Sequence, residues 1–209
     1  MAKNKPPVIN KKTLMLSINA DNPQQRLINR VCAVLEEGGL IVYPTDTFYG
    51  IGCNLFNKRG IQLIYRLKNR PLKKPFSFLC DSLKEVSRYA LVSNYAYKTM
   101  KRLLPGPYTF IMEGTRLVPK IMLTKRKTVG IRVPDNSICL DIIRTFGRPI
   151  ISTSAVFDDP QSIKEAYGSF LDVIIDGGVL YQSPSSVVSL IDDIPEVIRE
   201  GKGDVSGFR

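Results

Sequence analysis

The chain has 209 residues, 30 Lys+Arg against 19 Asp+Glu, a formal net charge of +11 and no histidine. That length suits one sizeable domain or two small ones, and 44% hydrophobic with 23% charged residues is the balance of a folded chain. Without histidine, Ser-His-Asp and Cys-His catalysis are excluded, as is any metal site built on imidazole. Acid–base work falls to carboxylates, Lys, Tyr, Cys or the substrate itself.

The charge is unevenly spread. Residues 1–154 hold 26 basic and 9 acidic side chains, whereas residues 155–209 hold 4 and 10. Thr47 to Cys80 contains Lys58, Arg59, Arg66, Lys68, Arg70, Lys73 and Lys74 with no acid, and Gly114 to Pro134 contains Arg116, Lys120, Lys125, Arg126, Lys127 and Arg132, again with none. For any one lysine the simplest reading is a solvated surface. If both runs face one cleft, that cleft attracts anions.

In chain order, Asp21-Asn22-Pro23 opens a predicted helix with Leu27, Val31, Val34 and Leu35 on one face, closed by Gly38-Gly39. Leu40–Tyr43 reads as a strand, followed by the polar turn Thr45–Gly52, where Gly50 and Gly52 would let a backbone approach a ligand. A helix from Asn57 carries Ile61 and Ile64 and stops before Pro71, with the cations of Lys68-Asn69-Arg70 at its C-terminal end. Phe76–Cys80 is a strand, Asp81–Ala90 and Ser93–Leu104 are helices, and Pro105-Gly106-Pro107 breaks the chain before the strand Tyr108–Met112. The strand Val129–Val133, the helix Ser137–Phe146 capped by Gly147, and the strand Ile150–Ser154 follow. The remainder reads as a helix over Ser162–Phe170 and short strands at Val173–Ile175, Ser186–Ile191 and Glu196–Arg199. The order is mixed rather than strictly alternating. The expected fold is α/β of the α+β type: one domain over 13–209, a mixed twisted sheet flanked by helices, with a concave, positively charged cleft. The basic stretch Met1–Lys12 is expected to be a mobile arm.

Cys32, Cys53, Cys80 and Cys139 lie far apart without a CxxC pair and read as small apolar core residues. No window approaches the roughly 18 apolar residues of a membrane span, and a cytoplasmic location without membrane contact is expected. The Gly-rich phosphate loop GxxxxGK[ST] is absent. The chemistry instead concentrates in the hydroxyls and carboxylate of Thr45-Asp46-Thr47, the strand end Ser152-Thr153-Ser154, Ser185-Ser186, and the Lys68/Arg70 pair. The latter suits a substrate carrying carboxylate and phosphate together.

Several motifs carry a resemblance. YPTDTFYGIG at Tyr43–Gly52, Lys68-Asn69-Arg70-Pro71, Lys74-Pro75, PGPYTF at Pro105–Phe110, TVGIRVP at Thr128–Pro134, STSA at Ser152–Ala155, Gly177-Gly178, SSVV at Ser185–Val188 and IREG at Ile198–Gly201 run in the order of the YrdC-like family. The chain is identified as a member of that family of threonylcarbamoyl-AMP synthases, nearest to its YciO branch. The resemblance implies condensation of L-threonine, bicarbonate and Mg²⁺-bound ATP to threonylcarbamoyl-AMP and pyrophosphate, for the modification of adenosine 37 in ANN-reading tRNAs. By the same resemblance Lys68 and Arg70 are catalytic, and Arg70, Lys74, Thr128 and Arg199 bind the nucleotide. Thr47, Arg132, Ser154 and Ser185 bind threonine, and no residue is a dedicated metal ligand. tRNA, double-stranded RNA and tRNA-modification proteins are the further partners it implies.

Two departures are expected inside this site: Val156 where synthases usually carry Asn, and Leu79 where many carry His. The rival reading is a YciO-type binding module for double-stranded RNA or tRNA, with weak or altered nucleotide activity. It accounts for the basic runs but leaves the hydroxyls at Thr45–Thr47, Ser154 and Ser185 without a task.

Overall fold

The structure, a computed structural model, describes residues 13–180 and 183–208. The Met1–Lys12 arm lies outside the described residues. Among those described, no helix is long and apolar enough to cross a membrane.

Ten strands among the described residues form one sheet: β1 (Leu14–Ser17), β2 (Ile41–Tyr43), β3 (Gly50–Gly52), β4 (Ser77–Leu79), β5 (Tyr108–Glu113), β6 (Thr128–Arg132), β7 (Ile150–Ser154), β8 (Val173–Asp176), β9 (Ser186–Ser189) and β10 (Glu196–Arg199). Their order across the sheet is β1-β8-β2-β3-β7-β4-β6-β5-β9-β10, with β1–β8, β2–β8, β4–β6 and β5–β9 parallel and the other pairs antiparallel. The sheet is mixed, as the sequence predicts.

Two strands escape the sequence reading. β1 is four residues long and pairs in parallel with β8, more than a hundred positions away, so no local pattern announces it. β3 lies within the segment read as a turn. Its glycines seat a buried ring: a Cβ on Gly50 would stand 2.6 Å from Tyr43 Cζ, and one on Gly52 only 2.1 Å from the Ile151 carbonyl oxygen. That oxygen accepts the hydrogen bond of the Tyr43 hydroxyl at 2.8 Å.

Among the described residues six α-helices cover the sheet: α1 (Gln25–Glu36), α2 (Lys58–Leu67), α3 (Leu83–Tyr89), α4 (Asn94–Leu103), α5 (Ser137–Phe146) and α6 (Pro160–Tyr167). Their starts follow from capping. The side chains of Asn57, Ser82, Ser93, Asn136 and Asp159 each accept a backbone N–H from the first turn of α2 to α6. The buried stripe of α1 is Ile28, Val31, Cys32 and Leu35, one position around from the predicted face, with Leu27 and Val34 at its margin.

The period of two along the strands divides the side chains between the sheet's faces. Phe78, Phe110, Met112, Val129, Ile131 and Ile151 point to one face and pack with Ile61, Ile64 and Tyr65 of α2, Val86 and Tyr89 of α3, Met100 of α4 and Ile163 of α6. The opposite face is covered over half its width only. There Ile41, Tyr43, Leu79 and Ile150 pack with Ile28, Val31 and Leu35 of α1 and Ile138, Ile142 and Ile143 of α5. The other half of that face carries hydroxyls and glycine, and it is where a cavity opens.

Candidate active site

The floor of the cavity is the sheet itself. Ser77 of β4 stands opposite both Ser152 of β7 and Gly130 of β6, and one step along lies the row Ile150, Leu79 and Arg132. In the first row the side chains are small or hydroxylated, and space remains above them. In the second row α5 begins to cover the sheet, so that row is the border between core and cavity. The space has a volume of about 360 Å³; Thr47, Arg70, Thr128, Arg132, Ser154, Ser185 and Arg199 line it, so seven of the nine predicted site residues converge.

Arg132 is the buried anchor, 6% exposed. Its Nη1 donates to Thr47 Oγ1 at 2.7 Å and its Nη2 pairs with Asp46. Burial lowers the guanidinium pKa and the Asp46 carboxylate opposes that shift. Arg132 Nε and Asp46 Oδ2 are buried without a hydrogen-bond partner, so the pair retains unused donor and acceptor capacity. The Thr45-Asp46-Thr47 turn is self-supporting: Thr47 N–H donates to Thr45 Oγ1 at 3.1 Å and Thr45 Oγ1 donates to the Phe48 carbonyl at 2.6 Å. Lys202 Nζ reaches back to the Asp46 carbonyl at 2.7 Å. Tyr49 fixes the far side of the motif, donating to the Gly178 carbonyl and accepting from Gly177 N–H. Burial pushes its phenol up to about 12.

Arg199 enters through an irregularity in the sheet. Val197 stands opposite Val188, yet Arg199 stands opposite Val187, so β10 has one extra residue at this point. Without that bulge Arg199 would face Ser186 and turn away from the cavity. As it is, Arg199 Nε and Nη2 both donate to the Ser185 carbonyl, at 3.0 and 2.7 Å, and Nη2 also reaches Ser185 Oγ at 3.1 Å. Ser185 Oγ in turn lies 3.0 Å from Thr109 Oγ1. Burial and the neighbouring charge of Arg132 lower the Arg199 pKa.

Lys68 and Lys74 do not line the cavity. The Lys-Asn-Arg segment is the end of α2: Asn69 has φ 45°, its N–H bonds the Arg66 carbonyl and the Arg70 N–H bonds the Tyr65 carbonyl, a Schellman arrangement. This turn sends the two cations apart. Lys68 Nζ lies over the Tyr167 ring, 5.5 Å from its centroid, while Arg70 turns toward the cavity. Burial, and then the charge of Arg70, lower the Lys68 pKa. Lys74 is exposed.

The expected departures separate. Leu79 is fully buried with Ile138 and Cys139 under α5 rather than in the cavity, because the β4 register puts it in the border row. Val156 lies two residues past Ser154, whose Oγ accepts its N–H at 3.1 Å, and adopts φ 74°.

Sequence reasoning missed Thr109, Thr124 and Ser77 as lining residues, whereas the strand end Ser152-Thr153-Ser154 lines the cavity as expected. Thr124 was visible only in the fold, where its Oγ1 lies 2.7 Å from Thr128 Oγ1.

Comparison with known proteins places this architecture. Residues 33–201 match a family model covering Sua5, YciO and YrdC proteins and described as telomere recombination. The protein described as uncharacterised YciO of Escherichia coli K12 is 44% identical over 199 residues, 91% of this chain and 97% of that protein. The crystal structure of E. coli YciO superposes with a TM-score of 0.91 at 42% identity, over 94% of this chain and all of that one. Pyrococcus abyssi Sua5 complexed with L-threonine gives a TM-score of 0.84 at 26% identity, over 90% of this chain and 58% of that one. Threonylcarbamoyl-AMP synthase of Mus musculus is 31% identical over 175 residues, 81% of this chain and 62% of that protein. With its motifs, its mixed sheet and a family match over most of its length in agreement, the chain belongs to the Sua5/YciO/YrdC family.

Proposed function

We propose that the protein is an L-threonylcarbamoyladenylate synthase-like enzyme, joining L-threonine, bicarbonate and ATP. The observation that carries this reading is the convergence of Arg70, Arg132 and Arg199 with the hydroxyls of Thr47, Thr128, Ser154 and Ser185 around one cavity whose lining holds no carboxylate. Each substrate is anionic, and arginine forks with oriented hydroxyls hold oxyanions together without a protein nucleophile. That matches a chain without histidine.

In this reading the threonine amine is carboxylated by bicarbonate with loss of water, the new carboxylate attacks the α-phosphorus, and pyrophosphate leaves. Thr47, Arg132, Ser154 and Ser185 hold threonine in this reading; threonine as the ligand is supported by a Sua5 relative solved in complex with L-threonine. Thr128 and Arg199 meet the nucleotide, and Arg70 meets the phosphates. Lys68 and Lys74 act from the rim and reach the triphosphate only by leaving their present positions. Mg²⁺ enters with ATP. Phosphates and water would be its main ligands.

A second reading has one observation in its favour. β4 and β6 are parallel neighbours, so the two acid-free basic runs that precede them arrive at the same rim of the sheet, with Arg66, Lys73, Lys74, Arg116, Lys125, Arg126 and Lys127 exposed. Such a rim would hold RNA phosphates. Purified protein with bicarbonate and Mg²⁺-ATP is expected to release pyrophosphate only when threonine is present, and the Lys68→Ala/Arg70→Ala double variant to abolish release. No release, with salt-sensitive RNA binding that survives both substitutions, would overturn the synthase reading in favour of the second.

A further inference from the structure

Arg70 is an exposed arginine on a loop, and such a side chain ordinarily samples many rotamers, so fixing it carries an entropic cost. Here it is held by three contacts. Its Nε donates to the Lys74 carbonyl at 2.7 Å and its Nη2 to the Pro75 carbonyl at 3.1 Å. Its guanidinium carbon lies 5.0 Å from the centroid of the Phe76 ring. Phe76 is 3% exposed and itself lies 4.4 Å, centroid to centroid, from Tyr65 of α2. The guanidinium thus rests on Phe76, which in turn packs against Tyr65 at a tilt and is founded on the core.

The backbone is shaped to make this contact. Asn69 turns the chain at the end of α2, and Lys74 N–H bonds the Pro71 carbonyl at 3.0 Å. The loop therefore returns its carbonyls 74 and 75 to the guanidinium just before Phe76 enters β4. The edge of the guanidinium formed by Nε and Nη2 is satisfied by the protein. The other edge, formed by the parallel N–H groups of Nη1 and Nη2, is left for a bidentate oxyanion.

We propose that Phe76 is a positioning residue for Arg70: its ring fixes the plane of the guanidinium so that this second edge faces the cavity. The inference rests on the reading that Arg70 meets an oxyanion of the substrate. Planar stacking on an aromatic face is a property lysine does not share, and a cation over a ring is attracted to its negative face.

The test is calorimetric titration of the full chain with inorganic tripolyphosphate, so it needs neither threonine nor turnover. Arg70→Ala is expected to lose most of the affinity, Phe76→Leu to weaken binding several-fold, and Phe76→Tyr, which keeps the ring, to bind as the wild type. In the Arg70→Ala background Phe76→Leu is expected to have no further effect, which a general loosening of the fold would not produce. Thermal unfolding checks that each variant is folded, and Phe76→Met, of similar volume, replaces Phe76→Leu if the latter is not. Wild-type affinity in Phe76→Leu or Phe76→Met overturns the proposal. So does an equal loss with and without Arg70, or no tripolyphosphate binding by the wild type. The synthase reading fails separately, on absent threonine-dependent pyrophosphate release.

Discussion

Val156 holds a backbone conformation its side chain does not favour. A β-branched residue at φ 74° crowds its Cβ branches against the backbone, and the left-handed region costs L-residues roughly 1–2 kcal/mol where Asn and Gly escape most of it. The side chain is 58% exposed, so apolar burial offsets little of that cost. Val156→Asn is therefore expected to stabilise the fold by about 1 kcal/mol, read as a higher urea midpoint with an unchanged slope. A lower midpoint would show that the valine's own packing holds the turn. The same variant raises the synthase rate if the missing amide limits the nucleotide site, and the two measurements separate the backbone effect from the chemical one. At this scale the convergence of Thr47, Arg132, Ser154 and Ser185 on one cavity was legible, because they sit in motifs that the fold brings together. Leu79 was not, because its place depends on which strand residues α5 covers. Lys68 was legible as a cation but not as one drawn toward Tyr167, since that follows from the left-handed turn at Asn69.

Secondary elements show where local pattern stops informing. The segment Tyr43–Gly52 combines strand, turn and strand within ten residues, and its glycines made the second strand read as part of the turn. Their physical task is clearance. A methyl on Gly52 would meet the Ile151 carbonyl oxygen at 2.1 Å, and that oxygen belongs to β7, which pairs with both β3 and β4. No side-chain rotation relieves such a contact. Gly52→Ala is expected to cost more than about 2 kcal/mol, measured by urea unfolding, and a near-neutral result would mean that the β3–β7 pairing gives way easily. β10 carries the complementary lesson. Regular alternation along Glu196–Arg199 puts Arg199 on the wrong face, and only the bulge turns it inward. A bulge has no signature in four residues of sequence.

Across the whole molecule, the α/β class and the mixed sheet were readable from the succession of elements, whereas strand order was not, since β1–β8 and β5–β9 join distant segments. The cysteines are a molecule-wide probe. All four are buried and free, and burial pushes Cys32 up to about 11 and Cys53 up to about 12, with Cys80 and Cys139 also raised. Folded thiols therefore hold their protons above the ordinary value of 9.0, where unfolded ones ionise. Where the folded state binds more protons than the unfolded one, stability falls as pH rises. Their contribution is full below pH 9.0 and is lost as pH passes through the folded values. Resistance to urea is expected to decline over that window. Reaction with a neutral thiol reagent at pH 8 is expected to track global unfolding. Fast labelling of native protein, or stability independent of pH above 9.0, would contradict the enclosed state of these thiols.

The half-covered sheet face has an evolutionary consequence. Within β7, Ile150 is locked beneath α5 while Ser152 and Ser154 look into open space, and β4 repeats the contrast with Leu79 and Ser77. Positions two residues apart on one strand thus answer to different selective pressures, since changing the first opens a hole in the core and changing the second alters what the floor can grip. Ligand preference can drift along the outer half of these strands without disturbing the inner half, and one scaffold can be retained by lineages whose substrates have diverged.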